Sequence, residues 1–453
     1  MMTAPWRGIA RDAGAILLGQ LATIGFGVAD TIMAGRYAST DLAALSIGMA
    51  VYISLHVGLA GIVQALIPVI GQHHGAHAPE RIGEAFRQGL WLALGVSLPG
   101  CLLLWWPDAV LALAHSTPEM AVQVRDYLHV LAFGLPLSLL FRCYAGLNQG
   151  ISRPLLVTLL QLLSLVLKVP LNAWFIFGGA GLPALGVVGC ALATVVIHAA
   201  LLLFALVMLR LHPIYRPFAL WRRWEGPRWA AQRELLRLGL PTGAAYFFEV
   251  TAFTLMAVFI SHFGTVALAG HQIVANLASV MYMLPLSIAI ATGARVAQLR
   301  GAGDARLARI AGWQGIALAV GLAVVLGLLL LLARPLLLAA YTQDAAVRAA
   351  ASGLFLYIAL YQVFDATQVA TAFALRSYGV ALVPAIGYAV GLWGIGLAGG
   401  YMLAFDLGGR TPDWLLGASG FWFGNAAALA LVAGALVLLY RSVSRRALQP
   451  SGR

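Results

Sequence analysis

Runs of about twenty apolar residues recur from one end of this chain to the other, and no other feature limits its fold as much. A helix rising about 1.5 Å per residue needs about 20 residues to cross a hydrocarbon layer of about 30 Å. Inside that layer each backbone N–H and C=O must be paired within its own segment, so runs of this length have to be helices. Counting them predicts twelve spans, near 13–34, 44–70, 88–106, 126–149, 155–177, 186–209, 237–261, 267–293, 311–333, 349–374, 380–403 and 418–440. Composition agrees: 61% of the 453 residues are hydrophobic and 10% are charged, where a soluble domain carries about 25% charged residues. The expected fold class is an all-α polytopic membrane protein.

The placement of charge decides what the net charge of +12 means. A basic chain invites a nucleic-acid partner, but here the charges sit in short connections between apolar runs. With an even number of spans both termini share one side. That side carries 22 of the 28 Lys and Arg residues, and the other carries five: Arg36, Arg125, Arg334, Arg348 and Arg410. Lys168 lies within a span. The positive-inside rule then puts both termini in the cytoplasm. Arg7 and Arg11 precede an apolar run as in a signal peptide, but the run continues through Asp30 with no polar cleavage region, so it reads as a retained first span. Cys101, Cys143 and Cys190 lie in apolar segments without CxxC spacing, which argues against a disulfide framework or a zinc site.

The longest connection, 210–237, contains LHPIYRPFALWRRWEGPRW, with arginines interleaved among Trp221, Trp224 and Trp229. That composition suits an anionic lipid surface. It divides the chain into a six-helix lobe at 1–209, a linker at 210–236 and a second six-helix lobe at 237–453. The lobes resemble each other at a constant offset of 226 residues: Leu42-Ala43 with Leu268-Ala269, Gln72, Gly75 and Ala76 with Gln298, Gly301 and Ala302, Gln88-Gly89 with Gln314-Gly315. Copies separated by an even number of spans have the same topology and form a pseudo-symmetric pair about the membrane normal, a transporter arrangement.

Against this background three carboxylates stand out inside spans: Asp30, Glu249 and Asp365. Each costs about 2.5–3.5 kcal/mol at a helix centre on insertion scales, so such side chains usually face a cavity and bind or relay something. Helical spacing groups Tyr361, Asp365 and Gln368 on one face of span 10, and Thr242, Tyr246, Glu249 and Phe253 on one face of span 7. Gln272, Asn276 and Ser279 follow the same spacing in span 8; Gln161, Ser164, Lys168 and Asn172 do so in span 5. The plain reading of single Ser, Thr and Gln residues is polar glue between helices. Two carboxylates in one lobe suit a hard monovalent cation or a shared proton. Asp30 has a static alternative, neutralisation by Lys168. His73, His74 and His77 read as a solvated turn rather than a metal site. The only lysine is followed by Val, which excludes a GxxxxGK[ST] phosphate loop; HExxH and GxSxG are missing too, so no ATP engine and no enzyme is expected.

Several stretches together resemble the multidrug and toxic compound extrusion (MATE) family in its bacterial NorM-like branch: ADTIMAGR followed by LAALSIG, the turn Gly71-Gln72-His73-His74-Gly75-Ala76, KVPLNAWFIFG in span 5 and LAGHQIVAN in the second lobe. The resemblance implies a twelve-helix transporter of the bacterial inner membrane that exports organic cationic drugs and dyes in exchange for Na⁺ or H⁺, with no other cofactor. Its partners would be those small molecules and membrane lipids, and a monomer suffices. By the same resemblance Glu249, Asp365 and Tyr361 bind the coupling cation, Na⁺ if the exchange uses sodium. Asp30, Gln272, Tyr282, Asn172, Lys168 and Asp344 are the candidates for the substrate cavity. Lys168 departs from the family, where Asn is common, as does Gln343 beside Asp344. A flippase of lipid-linked saccharides or another exporter of amphipathic metabolites is the alternative, but a flippase cavity would be rich in Arg and Lys.

Overall fold

The computed structural model describes residues 5–108, 111, 118–179, 181–221 and 225–449. Arg222, Arg223, Trp224 and Arg453 of the charge and tryptophan pattern fall outside them. The described chain is all helical, without a strand, and twelve helices are long and apolar enough to cross a membrane. They run Pro5–Tyr37, Ser39–Gly75, Pro79–Trp105, Pro118–Gly150, Leu155–Phe177, Val187–Leu211, Trp229–Phe263, Thr265–Gly301, Ala305–Leu332, Ala345–Arg376, Leu382–Ala404 and Ala418–Arg446, here spans 1 to 12. Most exceed the apolar runs at one or both ends, because hydropathy marks only the part that needs hydrocarbon while the backbone ladder continues past it.

The duplication extends to helix boundaries. Ser39 and Thr265 begin spans 2 and 8, Gly75 and Gly301 end them, Pro79 and Ala305 begin spans 3 and 9, and Gly150 and Arg376 end spans 4 and 10; each pair is 226 residues apart. Packing repeats at the same offset. Gly89 has the Leu66 side chain where a Cβ would sit, and Gly315 has Thr292 in that place. These glycines let spans 2 and 3, and spans 8 and 9, approach closely.

By contact the described chain forms two compact units, one of residues 15–243 and one of residues 1–14 with 244–453. In the first, spans 2, 3 and 6 pack on span 4; in the second, spans 8, 9 and 12 pack on span 10. The two central helices differ in chemistry. Span 4 carries the fully buried Leu135 and Leu139 at the positions where span 10 carries Tyr361 and Asp365.

Two spans depart from a plain α-helix along their length, and span 7 ends in a 3-10 turn over Ser261–Phe263. Span 2 turns at Gln64 and Ala65 between Ser39–Val63 and Leu66–Gly75. Span 11 is α-helical over Leu382–Ala389, then π-helical over Val390–Gly399, then α-helical again over Gly400–Ala404. The connection after span 6 is held against span 3. Trp91 Nε1 donates to the Glu225 carbonyl at 2.9 Å, Gln88 Nε2 to the Gly226 carbonyl at 3.0 Å, and Arg87 Nη1 to the Ala219 carbonyl at 3.2 Å. Gly83 leaves room for the Phe218 carbonyl. Trp229, at the start of span 7, is 74% exposed.

Candidate functional site

The second unit gathers the polar residues of spans 7, 8, 10 and 11 in an apolar bundle. Asp365 sits on the central helix with 1% of its surface exposed, and Oδ1 has no hydrogen-bond partner among the described residues. Glu249, partly exposed, faces it from span 7 within electrostatic reach. The Tyr388 hydroxyl of span 11 lies in hydrogen-bonding reach of the Glu249 carboxylate. Tyr361 and Tyr282 are also within electrostatic reach of both acids. Neither carboxylate forms a salt bridge among the described residues. Two acids that lack a salt-bridge partner among the described residues thus share this part of the bundle with the phenols of Tyr282, Tyr361 and Tyr388.

Aromatic rings cluster around Tyr361. Tyr361 meets Phe253 at 5.9 Å and Trp422 at 5.7 Å between ring centroids, and Phe253 meets Trp422 at 6.0 Å, all edge to face. Phe253 lies one turn beyond Glu249 and also lines a cleft of about 440 Å³ with Gln272, Asn276, Ser279 and Tyr341. The Tyr341 hydroxyl donates to Asn276 Oδ1 at 2.8 Å. The cleft therefore combines neutral carboxamides with the rings of Phe253 and Tyr341.

The first unit holds its acid differently. Lys168 Nζ lies 3.0 Å from Asp30 Oδ1, and Asn172 Nδ2 donates to the same oxygen at 2.6 Å. The ammonium also donates to Thr194 Oγ1 at 2.5 Å and to the Cys190 carbonyl at 3.3 Å. Lys168 and Asn172 are fully buried, and Asp30 is 5% exposed. The lysine thus pairs with Asp30. Asp344 caps span 10, accepting from Ala346 N at 2.8 Å and Val347 N at 3.3 Å.

Tyr388, Trp422 and His271 escaped the sequence reading. His271 and Trp422 are buried with ring centroids 5.9 Å apart, and His271 Nδ1 and Trp422 Nε1 have no partner among the described residues. The signal available was a Tyr, a Trp and a His within apolar spans, each weaker than a carboxylate. A further buried acid, Asp41, accepts from Val187 N at 2.6 Å and so caps span 6.

Comparison with known proteins gives this arrangement its context. A family model described as MatE matches residues 15–174 and 241–402, two matches that begin 226 residues apart. The chain is similar to the probable multidrug resistance protein NorM of Aromatoleum aromaticum, at 41% identity over 95% of this chain and 93% of that one. It is 33% identical to the multidrug resistance protein NorM of Vibrio vulnificus over 93% of this chain and 92% of that one. It is 36% identical to the multidrug resistance protein PmpM of Pseudomonas aeruginosa over 96% and 90%. Among solved structures, an outward-facing MATE transporter of the MOP superfamily superposes with a TM-score of 0.88 at 18% identity, covering 98% of this chain and 97% of that one. The eukaryotic MATE transporter AtDTX14 superposes with a TM-score of 0.85 at 19% identity over 98% of both. This chain belongs to the MatE family, in its bacterial NorM-like branch.

Proposed function

We propose that the protein is a secondary active multidrug exporter of the bacterial inner membrane, exchanging organic cations for inward-moving Na⁺ or H⁺ with both termini in the cytoplasm. The observation that carries the reading is the pairing of buried Asp365 with half-buried Glu249, which have no cationic partner among the described residues and leave Asp365 Oδ1 without a hydrogen bond. Relatives named as multidrug resistance proteins support it.

The residues fit a transient monovalent cation: two carboxylates with phenol oxygens nearby supply hard oxygen ligands or a proton acceptor. The drug's positive charge and the coupling ion then compete for the same negative pair. Binding of the ion from outside discharges the drug, and alternating access of the two six-helix lobes, joined by the linker at 210–236, carries each across. A membrane potential contributes about 2.3 kcal/mol per unit charge per 100 mV to inward cation movement. Gln272, Asn276 and Phe253 in the adjoining cleft would seat the drug's aromatic body. One chain carries both lobes, so a monomer suffices.

The test is efflux of ethidium from energy-depleted cells, on adding Na⁺ at fixed pH and then on an acid pulse without Na⁺. Efflux on either trigger, lost in Glu249→Gln and Asp365→Asn at unchanged membrane abundance, is the expected result. Full efflux in both variants would sink the assignment of the pair. No response to either trigger would sink drug exchange itself.

A further inference from the structure

The ion pair of the first unit has more structure than two opposite charges in contact. The Lys168 ammonium has three N–H donors, and three oxygens surround it: Asp30 Oδ1 at 3.0 Å, Thr194 Oγ1 at 2.5 Å and the Cys190 carbonyl at 3.3 Å. Thr194 passes its own proton on to the Cys190 carbonyl at 2.9 Å, so its oxygen is free to accept. A carboxylate, a hydroxyl and a backbone carbonyl are the ligand types that hold hard cations. Asn172 pins the carboxylate through Nδ2, while its own Oδ1 is buried without a partner among the described residues, a further oxygen on the same carboxamide. Spans 1, 5 and 6 each contribute, and the ammonium is sealed from solvent.

We infer that Lys168 is a resident cation: its ammonium fills an oxygen-lined cation site in the first unit, so that unit takes up no free monovalent cation. The lysine gave up its freedom when the chain folded. A competing ion still has to surrender its own, and it must also drive a charge out of a site closed to solvent. Removing the ammonium reverses the balance. It leaves the oxygens with one uncompensated negative charge, which calls for Na⁺ or a small ammonium ion in its place. For transport, the consequence is that coupling runs through Glu249 and Asp365 alone. That consequence rests on the efflux reading above; the site itself does not.

The experiment reads binding by thermal unfolding of the purified full-length chain carrying Glu249→Gln and Asp365→Asn, which removes the other acidic pair. Melting is compared in sodium chloride, methylammonium chloride and choline chloride of equal ionic strength. With Lys168 intact the three melting temperatures should coincide. With Lys168→Ala added, Na⁺ or methylammonium should raise the melting temperature above that in choline, saturably, and further addition of Asp30→Asn should abolish the rise. Lys168→Asn, which keeps a polar side chain, serves as the second variant where alanine does not fold. A Na⁺ response with Lys168 intact that Asp30→Asn removes would overturn the inference. So would the lack of a cation response in both Lys168 variants, or their failure to accumulate in any of the salts. Because the readout is melting and not transport, this inference and the efflux reading can fail separately.

Discussion

Four buried or half-buried acids meet the cost of leaving water in four ways. Asp30 takes a lysine and a carboxamide. Asp41 takes the backbone N–H at the start of span 6, where the helix dipole is positive. Glu249 keeps partial exposure and a phenol hydroxyl. Asp365 has neither exposure nor a partner on Oδ1 among the described residues, so its need is the one left open. Tyr388→Phe tests the phenol without changing the packed volume. A hydrogen bond to a charged group contributes about 1.5–3 kcal/mol, so ethidium efflux should fall by roughly 10-fold or more at unchanged membrane abundance. Efflux equal to wild type would remove Tyr388 from the machinery. Asp30, Glu249 and Asp365 were legible in the sequence because a carboxylate in an apolar run is costly wherever its partners are; Asp41, in the first turn of span 2, was not, because an acid at a span end carries no such signal. Tyr388 was not, because a tyrosine is tolerated in a span for its apolar body alone, and only the fold brings it to Glu249.

Span 11 shows what helix counting misses. An apolar run near 380–403 predicts a span, and a span is there, but the count of apolar residues is blind to whether the ladder closes as an α- or a π-helix. The clue was glycine: the π segment reads VGLWGIGLAG. Gly391 and Gly396 of this segment, and Gly400 just after it, serve close packing on span 12. A Cβ on Gly396 would meet Asn425 Oδ1 at 2.6 Å, one on Gly400 would meet Phe421 Cα at 2.9 Å, and one on Gly424 would meet the Gly396 carbonyl at 2.8 Å. Gly396 and Gly400 on one span and Gly420 and Gly424 on the other are each four apart, the spacing that lets two backbones touch in a membrane. Gly424→Val forces them apart, and overpacking of this kind costs about 1–3 kcal/mol. The expected outcome is a lower melting temperature in detergent, with efflux reduced because Tyr388 rides on span 11. Gly394→Ala, with open space around its Cβ, is the matched control and should melt like wild type.

Across the whole molecule, one duplicated scaffold carries two electrostatic solutions. The first unit is neutral at its acid, and the second holds a carboxylate pair that lacks a cationic partner among the described residues. The scaffold was legible because duplication preserves glycines at one offset; the asymmetry was legible only as single residues, with Lys168 offered as a static partner for Asp30, and it took the fold to set the two 3.0 Å apart. Orientation follows from charge on the same scale. The side proposed as cytoplasmic carries 22 of the 28 basic residues and the other five, and basic residues in short connections are held back from translocation against the membrane potential. The bias is spread over the N-terminus, the C-terminus and the five connections between them, so no single arginine sets it. Alkaline phosphatase, active only outside the cytoplasm, should be inactive when fused after Arg446 and active when fused at Gly408, between spans 11 and 12. A fluorescent protein that matures only in the cytoplasm should give the opposite pattern. Phosphatase activity at Arg446 would invert the transporter and, with it, the direction in which the carboxylate pair exchanges drug for ion.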